Sequence, residues 1–214
     1  MTDDRFAFET QFYNAPDDHY CGLDEVGRGP LAGPVVAACV IVPPDARGMD
    51  FWKDIRDSKK IAEKKREKLF DIIMEYCHCG IAACTIEEID TLNIHHASYL
   101  AMKRAYAACL QDNNLSAPPC ALVDGKFLPK LPVAMHPIIK GDHVSKTIGA
   151  ASILAKVTRD RHMIALHEKY PHYDWHSNKG YGTAAHLAGI EKVGITEHHR
   201  KSFAPIKNKI TQYS

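Results

Sequence analysis

The chain of 214 residues carries 27 Lys/Arg against 26 Asp/Glu, a formal net charge of +1, with 45% hydrophobic residues and seven cysteines. That suffices for one well-cored α/β domain with a small appendage. No apolar run approaches membrane-spanning length, Met1-Thr2-Asp3-Asp4-Arg5 is acidic rather than a basic leader, and the odd, scattered cysteines read as reduced thiols. A cytoplasmic protein, with no membrane segment and no disulfide framework, is the expectation.

The near-zero charge conceals an asymmetry. Residues 140–214 hold 12 Lys/Arg and 6 Asp/Glu, whereas residues 1–139 hold 15 and 20. A basic C-terminal third suits a polyanion partner, although lysine-rich solvated helices give the same count.

In chain order, residues 1–19 are polar and are expected to form a flexible, loosely held arm. Tyr20 to Asp24 reads as a strand that runs into Glu25-Val26-Gly27-Arg28-Gly29-Pro30. Pro34 to Val42 is β-branched and almost wholly apolar, as a strand covered on both faces should be. Side chains alternate across a strand, so Asp24 and Glu25 can converge only if Glu25 belongs to the turn, which Gly27 and Gly29 make easy. Solvated carboxylates in a surface turn are the plain alternative. A nucleotide-binding loop is disfavoured, because Gly27-x-Gly29-x-x-x-Gly33 has the wrong spacing and leads into a strand rather than a helix.

A helix is expected from Asp57-Ser58-Lys59-Lys60, with Ile61, Leu69, Ile72, Ile73 and Tyr76 on one face and Glu63, Lys64, Lys65, Arg66 and Glu67 opposite. A strand follows over about residues 78–86. Cys77-His78-Cys79 with Cys84 resembles a zinc grouping but lacks paired C-x-x-C knuckles. Helical pattern returns at Glu87 to Asp90 and Ala97 to Leu110. Cys120 to Gly125 is a short buried strand ending in Asp124, and Ile138 to Asp142 reads as another strand ending at an acid. Ser145 to Tyr170 is a long alanine-rich helix whose small residues allow close packing on a sheet. The alternation implies an α/β layer fold, with a core over residues 20–170 and a helical part and tail over 171–214.

Three apolar strands thus end in carboxylates: Asp24-Glu25, Asp124 and Asp142. Ligands of α/β sheets gather beyond strand ends, so the acids could share one crevice. Helix capping is the alternative for Asp142, which stands just ahead of a helix. Four crowded carboxylates repel unless divalent cations neutralise them, and an all-oxygen set suits magnesium or manganese. Two such ions would serve an in-line phosphoryl displacement.

Gly22-Leu23-Asp24-Glu25-Val26-Gly27-Arg28-Gly29-Pro30, Asp57-Ser58-Lys59-Lys60, Leu122-Val123-Asp124-Gly125, Lys140-Gly141-Asp142, Ala150-Ala151-Ser152-Ile153-Leu154-Ala155-Lys156-Val157-Thr158-Arg159-Asp160, Asn178-Lys179-Gly180-Tyr181-Gly182-Thr183 and Arg200-Lys201-Ser202-Phe203-Ala204-Pro205 resemble, in order, the successive motifs of the ribonuclease HII family. The resemblance implies a ribonuclease-H-like mixed sheet flanked by helices, with a helical C-terminal part. It implies endonucleolytic cleavage of RNA in RNA–DNA hybrids and at single ribonucleotides in duplex DNA, leaving 3′-hydroxyl and 5′-phosphate, using two Mg2+ or Mn2+ ions with substrate bound; a monomer is the expectation. Asp24, Glu25, Asp124 and Asp142 match the family's catalytic, metal-binding acids. Gly27, Arg28 and Gly29 match its ribonucleotide-recognition loop, and Tyr181 the tyrosine that stacks on the deoxyribose beyond the ribonucleotide. Lys59, Lys179, Arg200 and Lys201 are expected phosphate contacts.

His143-Val144-Ser145-Lys146-Thr147 departs from the sequence of many relatives, which touches secondary substrate contacts rather than the acid. His143 could assist proton transfer; a solvated loop histidine is the alternative. The other histidines, including His95, His96, His172, His176, His198 and His199, read as surface or core residues. Asp160 is expected to make structural ion pairs beside Arg159 and Arg161. Two alternatives remain: a ribonuclease HIII-like enzyme, a group that characteristically carries a large N-terminal substrate-binding domain, and a non-catalytic hybrid-binding protein of the same fold. An unused cluster of four acids would repel the phosphate backbone, which argues against the latter.

Overall fold

A computed structural model describes residues 6–12, 20–56, 58–118 and 120–212, and only the backbone of Lys59, Ile210, Thr211 and Gln212. Five strands form one mixed sheet: β1 (Tyr20–Val26), β2 (Val35–Ile41), β3 (His78–Cys84), β4 (Cys120–Asp124) and β5 (Ala134–Ile138), in the order β3-β2-β1-β4-β5. β1 is antiparallel to β2 and parallel to β4, and β4 is parallel to β5. Every residue of β2 is buried, as its unbroken apolar run requires of a strand covered on both faces. Pro137 is tolerated because β5 is an edge strand, where a missing N–H breaks no second ladder.

Helices cover both faces. On one, Val36, Ala38 and Val40 meet α1 (Glu63–Tyr76) and α5 (Lys146–Lys169) through Leu69, Ile73, Ala150, Ala151 and Leu154. On the other, Leu23, Ala37, Cys39 and Val123 meet α3 (Ile94–Asp112) through Ala97, Ala101, Met102 and Ala105. Burying a side chain such as Ile73 or Leu69 contributes about 1.5–3 kcal/mol. The small residues set the layer distance: a Cβ on Gly22 of β1 would lie 2.6 Å from the Thr147 carbonyl carbon of α5. α2 (Ile86–Leu92) opens with a capping box between Thr85 and Glu88.

The C-terminal part comprises α6 (Trp175–Asn178), α7 (Ala184–Val193) and α8 (Ile206–Gln212). Tyr173, Trp175, Ile190 and Ile206 pack with Leu31 and Ala32 of the loop after β1 and with Met163 of α5. Main-chain bonds sew the two parts together: Leu31 N to Gly180 O at 2.8 Å, Arg200 N to Leu31 O at 2.8 Å and Gly33 N to His198 O at 2.9 Å.

Several expectations need correction. Residues 1–5 and 13–19 of the expected arm lie outside the described residues, but the segment between them is not loosely held. Phe6 is buried edge-on to Trp52, and Glu9 Oε1 accepts from Ser145 Oγ at 2.8 Å and Thr147 N at 3.1 Å at the start of α5. Ser58–Lys60 is only a 3-10 turn, and α1 begins at Glu63. Arg66, expected on the solvent face, is buried because its guanidinium donates to the carbonyls of Ser58 and Ile61, whereas Tyr76 is exposed. The strand expected to end at Asp142 stops at Ile138, and Asp142 lies in the short α4 (Gly141–Val144), reached through a left-handed Lys140.

Candidate active site

The carboxyl ends of β1 and β4 adjoin at the sheet centre. Leu23 pairs with Val123, so each strand's next residue is an aspartate, Asp24 and Asp124. Gly141 N donates to Asp124 Oδ1 at 2.6 Å, which ties α4 and its Asp142 to the end of β4. Glu25 is not in a turn: it pairs with Ala37 within the β1–β2 ladder, on the sheet face opposite Asp24. Convergence is still possible because the site lies off the end of the sheet. All four acids line one cavity of about 370 Å³, together with Gly27, Arg28, Gly29, Lys140, His143, Ser152 and Tyr181. A larger hollow of about 720 Å³ beside Lys103, Tyr106 and Leu110 contains none of these acids.

The acids strain against one another. Burial pushes Asp24 well above the usual carboxylate range, and the charges of Glu25 and Asp124 push it further; bonds from the Ser152 hydroxyl and Glu25 N–H offset only part. Burial also raises Glu25, against the lowering effect of Arg28, whose Nη1 lies 2.9 Å from Glu25 Oε1. The other oxygen, Glu25 Oε2, is buried without a hydrogen-bond partner among the described residues. An orphaned carboxylate oxygen among like charges is a place for a cation, and the oxygen-only donor set fits a hard divalent ion. Among the described residues no three His, Cys, Asp or Glu side chains close around one point. Asp24, Glu25, Asp124 and Asp142 would therefore hold an ion with water and substrate oxygens completing its shell, as magnesium prefers.

The Gly27-Arg28-Gly29 loop follows β1 directly. Gly27 has φ +98°, and a Cβ there would lie 2.6 Å from Arg159 Cδ and 2.7 Å from Pro34 O. Glycine is thus required twice, by conformation and by the approach of Arg159. Tyr181 is 49% exposed at the cavity rim, with its ring edge against Gly29. Its loop is anchored by the buried His186, whose Nδ1 lies 2.9 Å from Tyr181 O and whose Nε2 accepts from Trp175 Nε1 at 3.0 Å.

Not every expected contact reaches the site. Arg200 is fully buried, its guanidinium bonded to main-chain carbonyls of residues 27, 28, 33 and 34, because the loop wraps around it. It cannot touch a phosphate. Lys179 is half-buried, with Nζ donating to His176 O, and Lys201 is exposed. The side chain of Lys59 lies outside the described residues. Asp160 forms ion pairs, as expected, but with Lys156 at 2.8 Å and Arg66 at 3.7 Å rather than its sequence neighbours.

Sequence reasoning missed two residues. Ser152 bonds Asp24 and lies 2.9 Å from Ser58 Oγ; its signal was a lone hydroxyl in an apolar, alanine-rich stretch. His95, read as surface or core, receives a 2.9 Å contact from Arg28 Nη2 that no local pattern announces.

Residues 21–206 match the ribonuclease HII family. A Burkholderia mallei protein named ribonuclease HII is 48% identical over 200 residues, covering 91% of this chain and 87% of that one. The chain belongs to the ribonuclease HII family. It is accordingly an endoribonuclease, a hydrolase of the ribonuclease H type in a family that uses divalent metals. Its fold matches the ribonuclease H2 of Pyrococcus horikoshii OT3 with TM-score 0.73 at 24% identity, over 91% of this chain and 98% of that one. The manganese complex of the ribonuclease HIII termed Bst matches with TM-score 0.75 at 19% identity, over 92% and 70%. No helix among the described residues is long and apolar enough to cross a membrane.

Proposed function

We propose that this ribonuclease HII cleaves the RNA strand of RNA–DNA hybrids and the phosphodiester at single ribonucleotides in duplex DNA, leaving 3′-hydroxyl and 5′-phosphate ends. The reading rests above all on one observation: four carboxylates and the Gly27-Arg28-Gly29 loop line a single cavity with Tyr181 at its rim. Bound magnesium or manganese, the latter present in the Bst ribonuclease HIII structure, would activate a water nucleophile and stabilise the attacking and leaving oxygens. Asp24 and Asp124, side by side on adjacent strand ends, would hold the ion, whose charge would stabilise the scissile phosphate. Asp142 reaches the site from α4, and Glu25 contributes its unpartnered oxygen.

Recognition uses the other wall. A 2′-hydroxyl both donates and accepts, and it is what distinguishes a ribonucleotide within DNA. Glycines on either side of Arg28 let the backbone approach it closely. Tyr181 stacks on the deoxyribose that follows, testing the RNA–DNA junction. Exposed lysines near the mouth, including Lys140, neutralise phosphates. The test is a duplex carrying one ribonucleotide, incubated with magnesium or manganese and with chelator, with end-group analysis of the products. Cleavage that survives chelator, or that proceeds equally on all-DNA duplex, overturns the reading.

A further inference from the structure

Two arginines lie buried beneath the recognition loop with no carboxylate in hydrogen-bond contact among the described residues. Arg200 Nη2 donates to Gly27 O at 2.5 Å and Nη1 to Arg28 O at 3.0 Å, while Nε and Nη2 reach Gly33 O at 3.0 and 2.8 Å. Arg159 donates to Pro34 O, Ala32 O and Lys179 O at 2.8–2.9 Å. Burial lowers both, Arg200 to about 9 and Arg159 to about 10. Holding such groups charged inside a fold is costly unless main-chain dipoles solvate them, and these carbonyls do so.

The consequence lies in the peptide planes. In a trans peptide the C=O and the following N–H point in opposite directions. With Gly27 O and Arg28 O both turned inward onto Arg200, the N–H groups of Arg28 and Gly29 must face outward. The cavity that contains the four acids is on that side, since Gly27, Arg28 and Gly29 line it and Arg200 does not. No partner holds either amide among the described residues. Two successive N–H groups aimed at one point form a nest for an anionic or hydroxyl oxygen.

We propose that Arg200 is a positioning residue for ribonucleotide recognition: its fork fixes the polarity of the Gly27–Arg28 and Arg28–Gly29 peptides, so the oxygen-binding amides are aimed before substrate arrives. Arg159 supports the same loop from beneath Gly27 and links it through Lys179 O to the segment that bears Tyr181. Preorganised donors need no reorganisation when substrate binds, which is where their advantage lies. The inference rests on the proposed substrate reading, because it assigns the nest to that substrate.

The test compares wild type with Arg200→Lys and Arg200→Ala on a duplex with one embedded ribonucleotide and on the matched all-DNA duplex. Lysine retains charge but is a single point donor and cannot bridge both carbonyls. Arg200→Lys is therefore expected to raise KM by about tenfold to a hundredfold, with kcat at saturating substrate falling much less, because the lost contacts are hydrogen bonds to substrate oxygens. Millimolar methylguanidinium should restore the KM of Arg200→Ala, and wild-type amide resonances of Arg28 and Gly29 should shift on titration with inorganic phosphate but not in Arg200→Lys. A folded Arg200→Lys with unchanged KM and unchanged phosphate-induced shifts overturns the proposal, as does a variant that loses only thermal stability. Should Arg200→Ala fail to fold, Arg200→Lys and the resonances decide. Failure of wild type to prefer the ribonucleotide duplex would instead reject the substrate reading, a separate outcome.

Discussion

Gly27 and Gly125 provide a matched pair that isolates what the loop's packing contributes. Their φ values are both positive, +98° and +97°, so alanine is strained at each, by about 1–2 kcal/mol. Their surroundings differ. A Cβ at Gly125 has nothing within 4 Å, whereas one at Gly27 falls 2.6 Å from Arg159 Cδ, 2.7 Å from Pro34 O and closer still to Arg159 Nε. Arg159 cannot withdraw without releasing three buried carbonyl bonds, so overpacking adds about 1–3 kcal/mol. Gly125→Ala should lose about 1–2 kcal/mol and Gly27→Ala about 2–5 kcal/mol. At roughly 2–4 °C per kcal/mol for a chain of this size, that is about 2–8 °C against about 4–20 °C. Urea and thermal unfolding in chelator, which removes metal effects, would measure both. Equal losses would refute the idea that Arg159 is clamped against the loop.

Asp24→Asn should reduce cleavage to background while hybrid binding persists; in chelator at neutral pH its Tm should rise, because Asp24 is pushed upward and its ionised form opposes folding. A cleaving mutant, or one less stable than wild type, counts against the crowded-acid reading. Tyr181→Ala should lose about 1–3 kcal/mol of stacking and impair single-ribonucleotide cleavage more than cleavage of a continuous hybrid. Equal impairment would mark Tyr181 as structural. His199, lowered by burial and by His186 from 6.5 to about 4, contributes stability that is complete above pH 6.5 and lost as pH falls through 4. Unfolding free energy should drop by roughly 2–3 kcal/mol across that window, and His199→Gln should flatten the profile.

Strands and the long helix were legible because their periodicities are strong: β2 is unbroken apolar, and α5 runs Lys146–Lys169 against an expectation of Ser145 to Tyr170. Terminal details were not. Ser145 is the cap of α5, its Oγ accepting from Ile148 N at 3.1 Å, and Tyr170 closes the helix, so propensity alone overran by a residue at each end. Motif order singles out four acids that the fold brings to one cavity, but the placement of Glu25 in a turn fails, because alternation along the strand does not forbid convergence on a site beyond the strand end. Arg200 was the larger error. A basic residue in a basic segment looks like a phosphate contact, and only tertiary structure reveals that a loop nearly 170 positions earlier supplies its hydrogen-bond acceptors.

The contrast between Asp160 and Asp24 explains how a fold marks one acid for structure and another for chemistry. Both are buried. Asp160 meets Lys156 on one oxygen and Arg66 near the other, within a helix pair that α1 and α5 close on their own. Asp24 has a serine hydroxyl and one backbone N–H, with two further carboxylates close enough to push its protonation upward. The nearest guanidinium to the cluster, Arg28, is spent on Glu25 Oε1 and His95. Negative charge is therefore concentrated at the end of β1, where Arg28 reaches Glu25 Oε1 and burial with the neighbouring carboxylates raises Asp24, while the buried positive charges of Arg159 and Arg200 sit behind the Gly27 loop, screened from the acids by its peptides. Neutralising either set internally would stabilise the chain, yet it would also remove the site's hold on a divalent ion and the outward set of the loop amides. Ion binding should thus raise stability through the same carboxylates whose crowding lowers it, so the chelator-dependent loss of Tm should shrink in Asp24→Asn by the share that this acid carries.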